Sequence, residues 1–195
     1  MDAGRLLTVA LGASLVNNFV LARFFGVCQV VGTSTELGVA GSLGLTATAM
    51  MALASFLCFV INANLLAPLE LGYLSTIIFI VVIAASAEGA RWVLSRVSSR
   101  ASARVDGHLH LLTANCAVLG AVLLNGQGGF GLSESVANGV AGGLGLALVM
   151  LLMAGLRERI EMGAVPEALK GLPIGLVAVG LAALAFSGFS GLASE

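Results

Sequence analysis

The sequence predicts an all-α integral membrane protein with six transmembrane helices, arranged as two inverted three-helix repeats. Three observations carry this expectation: an almost uncharged composition, uncharged intervals of membrane-spanning length, and a self-match at a fixed offset. Of the 195 residues 58% are hydrophobic and a further 26 are glycine, while only 10% are charged; mean hydropathy is +1.05. A soluble domain carries about 25% charged residues. So few charges cannot keep a surface wet, which excludes an ordinary soluble enzyme, a disordered segment and a nucleic-acid binder. The net charge of −1 says nothing about partners. Low aromatic content (6%) with abundant glycine suits close-packed helices better than a β-barrel with aromatic girdles.

The charges punctuate the chain into elements. A helix crossing the hydrocarbon core needs about 20 apolar residues, and the intervals 6–22, 37–61, 71–87, 109–124, 135–156 and 171–192 are candidates. The first lacks the basic start and small-residue cleavage site of a signal peptide, so it is expected to remain as the first helix. It carries Asn17 and Asn18. The second and fifth are the longer apolar runs, and the third and sixth follow Pro68 and Pro166. The fourth carries Asn115. Connections are short except for a Ser/Arg-rich amphipathic linker at about 91–107. A single membrane domain is expected over 1–195, with half one at about 1–92 and half two at about 108–195.

Orientation follows from the basic residues. With loops alternating sides, loops one, three and five hold Arg23, then Arg91, Arg96, Arg100 and Arg104, then Arg157, Arg159 and Lys170. Only Arg5 of the nine basic residues falls on the other side. The basic loops are therefore expected in the cytoplasm and both termini outside, in the periplasm of a bacterial inner-membrane protein.

The self-match pairs Gly38-Val39-Ala40-Gly41-Ser42-Leu43-Gly44-Leu45 with Gly139-Val140-Ala141-Gly142-Gly143-Leu144-Gly145-Leu146, identical at seven of eight positions at an offset of 101. Each copy opens the second helix of its half. A repeat of three spans must sit upside down relative to its twin, and function in such folds concentrates near the midplane where broken helices meet. Asn17, Asn18 and Asn115 mark the first and fourth helices as broken there, because a buried amide can satisfy the backbone groups that unwinding frees. Gly26 and Gly32, and later Gly120, Gly126, Gly128 and Gly129, allow the chain to turn. For the repeated glycines themselves, close helix packing is the preferred reading.

Three cysteines, at 28, 58 and 116, are too few and too apolar in setting for a disulfide framework. Cys58, within Phe56-Leu57-Cys58-Phe59-Val60, reads as a small packing residue. Cys28 and Cys116 each follow the Asn-bearing stretch of their half, so the repeat can bring both to one midplane site. Two thiolates do not complete a zinc or iron–sulfur site, which takes four protein ligands. Either the cysteines pack, or a partner chain supplies the rest. His108 and His110, beside Asp106, read as solvated interfacial imidazoles. Carboxylates fall at helix ends, and no phosphate loop, nucleophile elbow or zinc-protease motif is present, so no catalytic residue is assigned.

The stretches Leu15-Val16-Asn17-Asn18-Phe19-Val20-Leu21, Phe24-Phe25-Gly26-Val27-Cys28, Leu112-Thr113-Ala114-Asn115-Cys116-Ala117-Val118-Leu119-Gly120, Leu156-Arg157-Glu158-Arg159 and Phe186-Ser187-Gly188-Phe189-Ser190-Gly191-Leu192 resemble the RnfA (also RsxA) family of the Rnf electron-transport complex over nearly the whole chain. The first stretch is less similar to the cousin family NqrE, where a Glu-Asn pair is typical. The resemblance implies a six-helix, non-autonomous subunit of an ion-translocating ferredoxin:NAD⁺ oxidoreductase that couples electron flow to Na⁺ or H⁺ movement. It implies pairing with a homologous RnfE-like subunit of opposite topology, alongside RnfB, RnfC, RnfD and RnfG. It further implies a [2Fe-2S] cluster inside the membrane, two cysteines coming from each chain, with Cys28 and Cys116 at the matching positions. One departure stands out: the residue after the first cysteine is usually proline in that family, and here it is Gln29.

A cluster of two ferric ions, two sulfides and four thiolates carries about −2, which a low-dielectric core must compensate. Helix N-termini aimed at it would do so, with backbone N–H groups near Gly26 and Asn115 bonding the sulfurs. The alternatives are an ion-translocating subunit with incidental cysteines, and an assembly scaffold that carries no electron.

Overall fold

The computed structural model describes residues 18–32, 37–66, 72–97, 115–163 and 165–188, and every regular element among them is helical. In chain order these are α1 (Phe19–Arg23), α2 (Val27–Gly32), α3 (Leu37–Ile61) running on into a π-helical turn (Asn62–Leu66), and α4 (Ser75–Val97) after a short 3₁₀ turn. Then come α5 (Cys116–Gln127), α6 (Leu132–Glu161), a 3₁₀ turn (Glu167–Leu169) and α7 (Leu172–Ser187). Asn17, His108, His110, Pro68 and the linker arginines Arg100 and Arg104 lie outside the described residues.

Among the described residues two helices are long and apolar enough to cross a membrane, Gly38–Leu66 and Leu132–Glu161. Thirty residues of α6 extend about 45 Å, more than the roughly 30 Å hydrocarbon core, so its charged end with Arg157, Glu158, Arg159 and Glu161 projects beyond it. The outward faces agree with an apolar surround. Leu45, Ile77, Leu181 and Leu184 are each more than 60% exposed, and such large apolar surfaces are not left facing water. The chain is a membrane protein.

The repeated glycines sit where α3 and α6 cross. A Cβ on Gly44 would lie 2.6 Å from the Ala147 Cβ, and one on Gly143 would lie 2.5 Å from the Thr48 Cα. On Gly139 it would meet the Ser55 Oγ at 2.4 Å, and on Gly142 the Phe19 ring at 2.2 Å. Of the first pattern, for which close packing is expected, Gly44 fits, whereas Gly38 has open space and Gly41 only an ordinary contact; in the second copy Gly139, Gly142 and Gly143 are the closely packed ones. Met51, Leu146, Val149, Met150 and Met153 fill the core around this crossing.

Element ends differ from the charge-based spans in instructive ways. The helix α4 runs to Val97 and takes up Arg91 and Arg96 from the expected linker. Charge ends an apolar run, but no proline interrupts 88–97, so the helix continues. Trp92 and Arg96 meet near its end, the guanidinium 5.1 Å from the ring centroid, a pairing typical of membrane–water boundaries. Of the glycines expected to turn the chain, Gly26 (φ 84°) and Gly129 (φ 61°) do so. By contrast Gly120 and Gly126 lie within α5, where Gly120 leaves room for the Phe25 ring.

The Gly129 turn folds α5 back onto α6, and a buried polar knot ties this hairpin to α3. Asn125 donates through Nδ2 to Ser55 Oγ (3.3 Å) and to the Ser135 carbonyl (3.2 Å), and its Oδ1 accepts from Asn138 Nδ2 (2.6 Å). A void of about 50 Å³ adjoins it, lined also by Cys58 and Asn62.

Candidate functional site

The site is made by two helix starts. Asn18 is buried and caps α1, its Oδ1 accepting from the Val20 N–H at 3.0 Å while its Nδ2 donates to the Gly145 carbonyl of α6 at 3.1 Å. After α1 the chain reverses at Phe24, a non-glycine residue in the left-handed region (φ 57°), and at Gly26. Phe24 there costs about 1–2 kcal/mol. The Phe25 N–H closes the turn onto the Phe19 carbonyl at 2.9 Å. Helix α2 then begins, with Cys28 in its first turn.

Asn115 is the corresponding amide of the second half. Its backbone is extended, and its Oδ1 caps α5 by accepting from the Ala117 N–H at 2.9 Å. Cys116 is the first residue of α5. Asn18 and Asn115 therefore play the same part, each receiving the N–H two residues on. The chain does turn between α1 and α2 at 24–26, just beyond the expected first span 6–22; what precedes Asn18 and Asn115, where the breaks are expected, lies outside the described residues.

The reversal at Gly26 lays the start of α2 against the start of α5. A Cβ on Gly26 would lie 3.1 Å from that of Ala117. The Gly26 N–H donates to Cys116 Sγ at 3.0 Å, and the Cys28 and Cys116 thiols are near enough to influence one another electrostatically. Both thiols are exposed at the chain's surface, whereas Cys58 is buried at 1%. The structure thus joins Cys28, Cys116, Gly26 and Asn115, places Asn18 in support on α6, and assigns Cys58 to the core. Among the described residues no three metal-ligating side chains come together.

Two participants were not singled out as site residues in the sequence. Gln29, 1% exposed, accepts through Oε1 from Asn115 Nδ2. Its backbone is helical and its N–H bonds the Gly26 carbonyl at 3.0 Å, a donor that proline would lack. Arg157, expected only as a charged loop residue, donates to the Val31 carbonyl and so caps the far end of α2. The polar amide directly after Cys28 in an apolar run was the available signal for Gln29; nothing local marks Arg157. Beside Arg157 a cavity of about 540 Å³ opens between α2, α6 and α7, lined also by Lys170 and Gly175.

Chemically, two neighbouring thiols, one of them receiving a backbone N–H, can bind a soft metal through half of a tetrahedral ligand set. Their outward exposure leaves the other half to be supplied from outside the chain.

The family described as Rnf-Nqr subunit, membrane protein, matches residues 6–193. The chain is 44% identical over 187 residues to the A subunit of the Na(+)-translocating ferredoxin:NAD(+) oxidoreductase complex of Acetobacterium woodii, covering 96% of this chain and 97% of that protein. It is 43% identical over 188 residues to the A subunit of the ion-translocating oxidoreductase complex of Azotobacter vinelandii (96% and 97%). A further relative of that name, from Azoarcus sp., is 42% identical over 189 residues (97% and 98%).

Proposed function

This chain belongs to the Rnf-Nqr family of membrane-protein subunits, and from that premise we propose that it holds half of an intramembrane [2Fe-2S] cluster through Cys28 and Cys116. It is a non-autonomous subunit of an ion-translocating ferredoxin:NAD⁺ oxidoreductase complex, as its full-length relatives are named. The observation that carries the cluster reading is the pairing of two thiols from separate helix starts, side by side and facing outward, while the third cysteine is buried.

The residues present fit such a group as a half-site. Four thiolates are needed, and this chain brings two, so a homologous RnfE-like subunit of opposite topology supplies the others. When bound, the cluster accepts and passes on single electrons across the membrane. The chain's own part is to fix two sulfurs at the starts of α2 and α5 and to direct the Gly26 N–H at Cys116.

The six-span inverted repeat supports the same reading. The matched glycine segments at offset 101 meet at the α3–α6 crossing, and Asn18 and Asn115 cap their helices in the same way. The basic segments at Arg23, Arg91–Arg104 and Arg157–Lys170, several of whose residues lie at helix ends, orient the protein in the bacterial inner membrane with these segments cytoplasmic and the termini periplasmic. RnfB-, RnfC-, RnfD- and RnfG-like subunits complete the assembly.

The test is iron, acid-labile sulfide and an EPR signal on reduction in the co-purified complex. Cys28→Ser and Cys116→Ser should each abolish the signal, and Cys58→Ser should retain it. An intact complex without iron would overturn the proposal in favour of a transport subunit with incidental cysteines; retention of the cluster in both single variants would overturn the ligand assignment.

A further inference from the structure

We infer that Gln29 is a positioning residue that, by clasping Asn115, sets the separation of the Cys28 and Cys116 thiols before any metal arrives. The two amides are 86 residues apart in sequence, yet each is the chain neighbour of one thiol: Gln29 follows Cys28 and Asn115 precedes Cys116. Asn115 has one orientation available. Its Oδ1 is committed to the Ala117 N–H at 2.9 Å, so its Nδ2 must point away from α5, and Gln29 Oε1 receives it. Both side chains are buried, at 1% and 3% exposure. A buried amide donor without an acceptor is strongly disfavoured in so apolar a setting, which makes the contact directional.

The clasp and the Gly26–Cys116 hydrogen bond act as two fixings of one junction. The first joins the residues flanking the thiols through side chains, and the second joins the α2 entry to the Cys116 sulfur through backbone at 3.0 Å. Two fixings remove the hinge motion that one would allow. This inference rests on the proposed function for its interest in the thiols, but the geometry it describes requires no iron.

The test uses the full-length chain in membranes, without its partner, in a Cys58→Ser background so that Cys28 and Cys116 are the only thiols. Phenylarsine oxide reports their spacing, because the arsenic exchanges its oxygen for two sulfurs, releasing water without change of oxidation state, only when both thiols reach it. Gln29→Met keeps side-chain length and removes the oxygen acceptor; it should slow bidentate capture about tenfold, the factor expected for one buried hydrogen bond. Maleimide labelling of each thiol singly should stay within about twofold of the parent. Gln29→Glu restores an acceptor oxygen and should recover most of the capture rate. Asn115→Ser, which retains a capping oxygen but lacks the amide donor, should match Gln29→Met. Capture at the parental rate in Gln29→Met or in Asn115→Ser overturns the clasp, as does a parallel loss of single-thiol selectivity, which would indicate local unfolding. Absence of iron from the complex would sink the cluster and leave this result standing; parental capture would sink the clasp and leave the cluster standing.

Discussion

Gly26 and Cys116, 90 residues apart in sequence, are joined by a backbone N–H to sulfur hydrogen bond of 3.0 Å made across the junction of two helix starts. The left-handed backbone of Gly26 (φ 84°) is what aims that N–H at the thiol. Gly26→Ala faces both the wrong φ and a Cβ contact of 3.1 Å with Ala117. The variant should lose about 1–2 kcal/mol of stability and bind less iron in the complex, as measured by thermal unfolding in detergent and by metal analysis. Unchanged iron content would show that the Cys116 sulfur does not depend on this donor.

The α3–α6 crossing should discriminate sharply between glycines that look alike in the sequence. Gly143→Ala places a methyl 2.5 Å from the Thr48 Cα, a backbone atom that cannot swing aside, and should destabilise by about 2–3 kcal/mol. Gly38→Ala has open space and should be neutral or slightly stabilising, by up to about 1 kcal/mol. Paired thermal-unfolding curves decide, and equal losses would contradict the crossing.

Asn125→Ala removes the centre of the polar knot and leaves the Ser55, Ser135 and Asn138 groups it bonded short of partners. A loss of about 1–2 kcal/mol is expected, in keeping with side-chain hydrogen bonds between membrane helices. Hydrogen exchange at the 127–135 turn should rise together with the loss of stability; protection equal to the parent would assign the knot no structural weight.

Arg157→Leu takes the cap from the Val31 carbonyl and leaves the far end of α2 held by apolar packing alone. Bidentate arsenical capture by Cys28 and Cys116 should fall several-fold, while the thermal unfolding midpoint moves by no more than a few degrees, because the core does not rest on this contact. No change in capture would mean that α2 is held without Arg157.

The helical core was readable because its signals are local. The span 37–61 was marked by charge-free length and coincides with α3, and glycines at close spacing named the crossing that they form. Asn18 and Asn115 stood out because a buried amide in an apolar run must bond backbone nearby, and both prove to be helix N-caps. Charge proved a poor guide to where helices end: α4 passes through Arg91 and Arg96, since charged residues favour helix as well as any once clear of the hydrocarbon. The partners of Gln29 and Arg157 were out of reach, because separations of 86 and 126 residues leave no periodic trace. The same holds for Ser55 and Asn125, 70 residues apart.

Stiffness is unevenly distributed in this molecule. At the α3–α6 crossing, backbone meets backbone with no side chain to compress, and α5 is bolted to both helices through Asn125. The six residues of α2 are held by Val30 buried in the core, by the Gln29 amide and by Arg157 on the Val31 carbonyl, with some 540 Å³ of free space alongside. Of the two thiols, Cys28 therefore rides on a short helix beside open space, whereas Cys116 opens a twelve-residue helix tied into the rigid crossing.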